Sequence, residues 1–294
     1  ITQADAILFE FPKNPQSDRV LFTKAFAYQY SGKEKEAAKM YTQLIQKYPN
    51  SSIVGEAYAS LGDFYFDRND FRNAIHNYDY ATRYKKSERY LWSIFKLGWC
   101  YYNLGRYAKS IEYWKKVVIL GRNDEKQGMR LREEALRDMV YAFAELKDIQ
   151  GAISYYKVNG GSEYIGPLIL LFSNRLIENG EYVEAVKVLK LYQKMFPYDV
   201  KAPETQMEVI SLMHDLGKYD LLWKELKLFG SLYNPQSEWA KRNQKDQKIV
   251  LETRQNLKDK ILYYSKVLHK KGQEQDNKDF HLAAKEGYTI FLQM

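Results

Sequence analysis

LGDFYFDRNDFRNAIHNY at 61–78 and LGWCYYNLGRYAKSIEYW at 97–114 are one phrase written twice. Leu-Gly-x-x-Tyr opens both copies, at Leu61–Tyr65 and Leu97–Tyr101. Asn69 then answers Gly105, Phe71 answers Tyr107, Ala74 answers Ser110, and Tyr78 answers Trp114. Self-similarity at a fixed period of about 20–50 residues is the signature of stacked repeats, each one supersecondary unit that buries its apolar face against the next.

The period runs through most of the chain. Its turn slot holds Gly32, Asn69, Gly105, Lys147, Gly180 and Gly217, at steps of 37, 36, 42, 33 and 37 residues. Gly and Asn adopt the left-handed conformation that ends a helix, so five of the six suit the slot and Lys147 departs from it. Five residues further on stand Ala37, Ala74, Ser110, Ala152, Ala185 and Leu222, and four beyond those Tyr41, Tyr78, Trp114, Tyr156, Leu189 and Leu226. Ala25, Gly62 and Gly98 precede the turn. Small residues on both sides allow two helices to approach closely, and the large ones fill the space beside that contact. YPNS at Tyr48, FPYD at Phe196 and YNPQS at Tyr233 close repeats with a Pro that cannot continue a helix, beside residues that cap the next one. The unit is therefore two antiparallel helices and a tight turn.

In this pattern the sequence resembles the tetratricopeptide repeat, whose signature is W-x2-L-G-x2-Y followed by Ala, Phe, Ala and Pro over about 34 residues. The leading Trp slot here holds Leu21, Tyr58, Ile94, Leu136, Ile169 and Gln206, and Gln206 fits it least. The resemblance implies an all-α solenoid of stacked helix hairpins. The expected repeats are 18–54, 55–90, 91–132, 133–165, 166–202 and 203–240, preceded by the end of another repeat at 1–17. The extra residues per repeat, as in YPNSSIVGEAY, are similar to the longer form found in bacterial envelope proteins of outer-membrane assembly, Tol-Pal and gliding-motility type. That likeness implies a periplasmic or outer-membrane-associated complex.

Within 92–102 two faces separate at ~100° per residue. Ile94, Leu97, Gly98 and Tyr101 form the hairpin core, while Trp92, Phe95, Trp99 and Tyr102 lie about 120° away. By resemblance this second face lines the concave groove in which tetratricopeptide proteins hold peptides. Phe22, Phe26, Tyr30, Phe66 and Tyr141 fall on it in neighbouring repeats. The stripe reads either as an open binding surface or as core between successive hairpins. If open, it suits an apolar or aromatic segment of another protein. Chaperone-binding relatives clamp a terminal carboxylate with Lys and Asn at slots that here hold Phe22, Phe26, Ala59 and Asp63, so an acidic chaperone tail is not the expected guest.

Enzymatic chemistry has no foothold in the pattern. There is no phosphate-binding glycine loop, no GxSxG and no HExxH, and His76, His214, His269 and His281 are scattered. Cys100 is the single cysteine and reads as a small buried residue. The chain is 45% hydrophobic and 28% charged, a globular composition, and its longest apolar run, IGPLILLF at 165–172, is too short to span a bilayer. Neither a metal nor a cofactor is implied, and the expected function is a non-catalytic scaffold.

The net charge of +8 comes from 45 basic and 37 acidic residues. From Lys241 to Asp279 there are 11 basic and 6 acidic residues, a local +5. Ile249, Leu257, Ile261, Leu262 and Leu268 recur there at three- and four-residue steps, which predicts one long amphipathic helix. Tyr263, Tyr264, Lys266, Lys270 and Lys271 on it admit nucleic acid as an alternative partner. Gly121–Gly128 and Val158–Gly166 are expected to be loops. FEFPKNPQSD at 9–18 and KDFHLAAKEGYTIFLQM at 278–294 each read as a second helix without a complete repeat around it. An array extending past both ends is expected, and open solenoid ends admit self-association.

Overall fold

The structure is a computed structural model, and it describes residues 2–10, 14–123, 127–160 and 162–293. The chain divides into two compact units, Ile1–Gly160 and Gly161–Met294. Among the described residues the regular structure is helical, and each unit is a stack of antiparallel helix hairpins, the all-α solenoid class expected.

In the first unit α1 (Thr2–Glu10) precedes four hairpins: α2 (Ser17–Tyr30) with α3 (Glu34–Lys47), α4 (Val54–Phe66) with α5 (Phe71–Ala81), α6 (Tyr90–Asn103) with α7 (Tyr107–Leu120), and α8 (Gln127–Glu145) with α9 (Ile149–Asn159). The second unit pairs α10 (Ser162–Glu178) with α11 (Tyr182–Met195), α12 (Ala202–Asp215) with α13 (Tyr219–Leu232), and, after the short α14 (Glu238–Arg242), α15 (Gln247–Gln275) with α16 (Lys278–Gln293).

All six expected turn residues lie at positive φ, Lys147 at 54° among them. The reason is one repeated hydrogen-bond pair. At Gly105 its own N–H donates to the Tyr102 carbonyl at 2.9 Å, and the Arg106 N–H donates to Tyr101 at 2.8 Å. This closure of a helix C-terminus requires the residue between to turn left-handed. The same pair recurs at Lys147, where the N–H groups of Lys147 and Asp148 bond Ala144 and Phe143 at 2.9 and 3.0 Å. A lysine there bears about 1–2 kcal/mol of backbone strain that glycine would not. Asp70 and Asp148, each following its turn residue, then cap the next helix by accepting from Asn73 and Gly151 N–H.

The core follows from the small and large slots. Tyr41, Tyr78, Trp114 and Tyr156 are buried to within 2% of full coverage. A Cβ placed on Gly62 would stand 2.5 Å from the Tyr78 ring, and one on Gly98 would stand 2.6 Å from Trp114 Cδ1. The ring of the second helix thus packs directly against the bare backbone of the first. Burying one such ring contributes about 4–6 kcal/mol before entropy is counted. Each buried polar tip is anchored: Tyr78 Oη donates to Asp63 at 2.6 Å and Trp114 Nε1 to the Phe95 carbonyl at 3.2 Å.

Several expectations change. The loops expected at Gly121–Gly128 and Val158–Gly166 are far shorter. Gly121–Asn123 forms a single 3-10 turn, residues 124–126 lie outside the described set, and α9 runs to Asn159 before α10 opens at Ser162 with Pro167 inside it. The repeat boundary expected at 132/133 falls inside α8. Gln206, the poorest fit to the Trp slot, is fully buried because its amide donates to the Glu225 carbonyl and carboxylate, both at 3.0 Å. The basic segment is one long helix as expected, but it is also the first helix of a hairpin. Asp276, at φ 49°, is the turn that joins α15 to α16. No fixed spacing marks it, since α14 intervenes. There Trp239 is buried and ties α14 back to the connection between α11 and α12 by donating to the Asp199 carbonyl at 2.8 Å.

Candidate functional site

The aromatic stripe lies in the first unit, where α4, α6 and α8, the first helices of successive hairpins, pack side by side. Its residues divide into three kinds of environment. Phe26 and Tyr30 on α2 are 56% and 88% exposed, and Phe22 is half-buried against Tyr41, ring centroids 5.5 Å apart. Phe66, Trp92, Trp99, Tyr102 and Tyr141 are half-buried. Phe95 is sealed at 5% exposure and is core, a correction to its place in the stripe. Its backbone carbonyl anchors Trp114, and its ring packs against Trp92 at 6.0 Å, so the larger indole of its own helix helps to cover it.

The half-buried rings gather in two clusters. In one, Phe66 and Trp92 flank Lys96, whose ammonium sits 3.3 Å from the Phe66 centroid and 5.5 Å from that of Trp92. Burial lowers the Lys96 pKa, and Asp63 and Asp67 act in the opposite sense. In the other, Trp99 meets Tyr102 edge-on at 5.4 Å and Tyr141 at 6.4 Å.

Each tryptophan of α6 is held by a carboxylate on an adjacent helix. Trp92 Nε1 donates to Asp63 Oδ1 on α4 at 3.0 Å, and Trp99 Nε1 donates to Asp138 Oδ2 on α8 at 2.9 Å. Asp63 is further bonded by Tyr78 Oη and ion-paired to Arg89, whose guanidinium stands 5.5 Å from the Trp92 ring centroid. Burial pushes the Asp138 carboxyl up to about 6, partly offset by the Trp99 bond. These bonds fix two large amphipathic rings while leaving part of each open, which is the condition of a preformed anchor site. Sequence reasoning placed Asp63 on this face and missed Asp138, because nothing local joins Trp99 to a residue 39 positions away.

The other surfaces offer less. On α15, Tyr263 is 53% exposed but Tyr264 is buried, and Lys248, Lys270 and Lys271 pair with Glu252 and Glu274 of the same helix. The nucleic-acid alternative therefore loses one of its aromatic partners and part of its free charge. Cys100 is buried and its thiol is pushed up to about 12 by desolvation, the state of an inert core residue. Among the described residues no helix is long and apolar enough to cross a membrane.

Residues 19–51 and 93–124 match the tetratricopeptide repeat family, and they coincide with the α2/α3 and α6/α7 hairpins. Two of the chain's hairpins match the tetratricopeptide repeat. No curated protein matches it by sequence. Among solved structures it is similar to a tetratricopeptide repeat protein from Parabacteroides merdae, at 17% identity over 94% of this chain and 99% of that one, with a TM-score of 0.47. The apo form of RapI is similar at 12% identity over 99% and 92%, TM-score 0.47. PilW, a type IV pilus biogenesis factor, is similar at 15% over 77% and 98%, TM-score 0.43.

Proposed function

We propose that this tetratricopeptide repeat chain is a non-catalytic scaffold that holds a segment of another protein against the aromatic face of its first unit. Phe22, Phe26, Tyr30, Phe66, Trp92, Trp99, Tyr102 and Tyr141 supply the contact. Phe95 supports them from beneath. One observation carries the reading: two indoles on one helix are oriented by carboxylates of the neighbouring helices while their rings stay partly open. Rings already fixed lose little freedom on binding, so their burial goes into affinity.

Crosslinking capture from the native host, with wild type beside Trp99→Ala/Tyr102→Ala, tests this. The double variant should lose the captured protein while its circular dichroism stays helical; undiminished capture would refute the groove. On the resemblance of its long repeats to those of bacterial envelope proteins, the same proposal places the complex at the periplasmic side of an outer membrane. Recovery of the native protein in the cytosolic fraction would count against that placement.

A further inference from the structure

The two indole–carboxylate pairs on the aromatic face are built alike, and one is complete where the other is not. Asp63 spends Oδ1 on Trp92 Nε1 and Tyr78 Oη, and Oδ2 on the guanidinium of Arg89, which also sits beside the Trp92 ring. Carboxylate, indole and arginine satisfy one another. Asp138 spends Oδ2 on Trp99 Nε1. Among the described residues no donor reaches its Oδ1 and no lysine or arginine forms an ion pair with it, and the residue is partly exposed. Glu134 and Arg137 of the same helix act on it at longer range with opposite signs, and Glu134 is already paired to Arg130 at 3.0 Å.

We propose that the Asp138–Trp99 pair is the seat for an arginine side chain of the bound segment, occupying the place that Arg89 takes beside Asp63 and Trp92. The proposal rests on the groove reading and names the guest's chemistry. A guanidinium suits the seat on two counts: it meets a carboxylate through paired N–H donors, and its flat face lies against an aromatic ring. Tyr102 and Tyr141, 5.4 and 6.4 Å from Trp99, supply further ring surface around the incoming cation. A half-buried carboxylate without a cation is costly, and its raised pKa expresses that cost. An arriving guanidinium removes it.

The full chain, labelled with 15N at the tryptophan indoles, is titrated with N-acetyl-arginine methylamide and with the uncharged citrulline analogue. Arginine should shift the Trp99 indole resonance to saturation, citrulline should not, and the Trp92 resonance should stay in place because Arg89 already fills its site. Asp138→Asn keeps an acceptor for the indole and should weaken the arginine response about tenfold. An equal response to citrulline, or one unchanged by Asp138→Asn, overturns the proposal. Capture of the native partner separates the two readings. If Asp138→Asn holds that partner as tightly as wild type while Trp99→Ala/Tyr102→Ala loses it, the arginine seat falls and the groove stands. If neither variant changes capture, the groove reading falls too.

Discussion

Gly98→Ala adds one methyl group to the middle of α6, and its effect follows from the ring above it. The new Cβ would lie 2.6 Å from Cδ1 and 2.7 Å from Cε2 of Trp114. Contacts that short require something to move, and Trp114 is fully buried with Nε1 bonded to the Phe95 carbonyl at 3.2 Å. Overpacking of a rigid core costs about 1–3 kcal/mol, and the upper half of that range applies where the obstructing atoms belong to a sealed indole. Weakening its hydrogen bond adds up to ~1 kcal/mol. Replacing glycine by alanine in a helix interior returns ~1 kcal/mol, which leaves a net loss of about 1–3 kcal/mol. Gly230 on α13 is the contrast, because a Cβ there meets nothing within 4 Å. Gly230→Ala should therefore stabilise, by about 0.5–1 kcal/mol. Urea unfolding followed by circular dichroism and tryptophan fluorescence reads both changes, the Gly98 variant shifting its transition down by roughly 1 M. A Gly98→Ala midpoint equal to or above wild type would refute the account of the hairpin core.

Gly105→Ala should cost about 1–2 kcal/mol through backbone conformation alone, since φ is 69° and nothing lies within 4 Å of the added methyl; the same urea midpoint measures it. Asp138, raised from 3.8 to about 6 in the folded chain, binds more protons folded than unfolded across that interval. Wild-type stability should accordingly fall as pH rises from about 4 to 6, and the difference between wild type and Asp138→Asn, read from midpoints at several pH values, should show that slope. Cys100 should resist a thiol reagent such as Ellman's in native buffer and react with one equivalent in denaturant, because burial both blocks access and keeps the thiol protonated. Fast native labelling would contradict its place in the core.

The hairpins were legible because what makes them is local. A left-handed turn residue, a small residue and a large ring recur at constant offsets, and the contacts they make, Gly62 with Tyr78 and Gly98 with Trp114, lie within one hairpin. Even Lys147 follows the period, since the two backbone bonds at the turn hold whichever residue occupies the slot. Asp276 escaped detection for the converse reason: α14 and the length of α15 displace it from the period.

Sequence alone settled the all-helical class, the repeat, six of the turn positions and which aromatic is core in the second helix of each of the first four repeats. Tertiary structure decided the fate of the stripe: that Phe95 is covered while Trp92 and Trp99 stay partly open, and that Asp63 finds Arg89 while Asp138 finds no cation. Those outcomes join residues 26 to 39 positions apart, as Arg89 to Asp63 and Trp99 to Asp138. Their meeting depends on how one hairpin is rotated and set against the next, and that angle is fixed by the summed packing of whole helices, which no short spacing in the chain encodes.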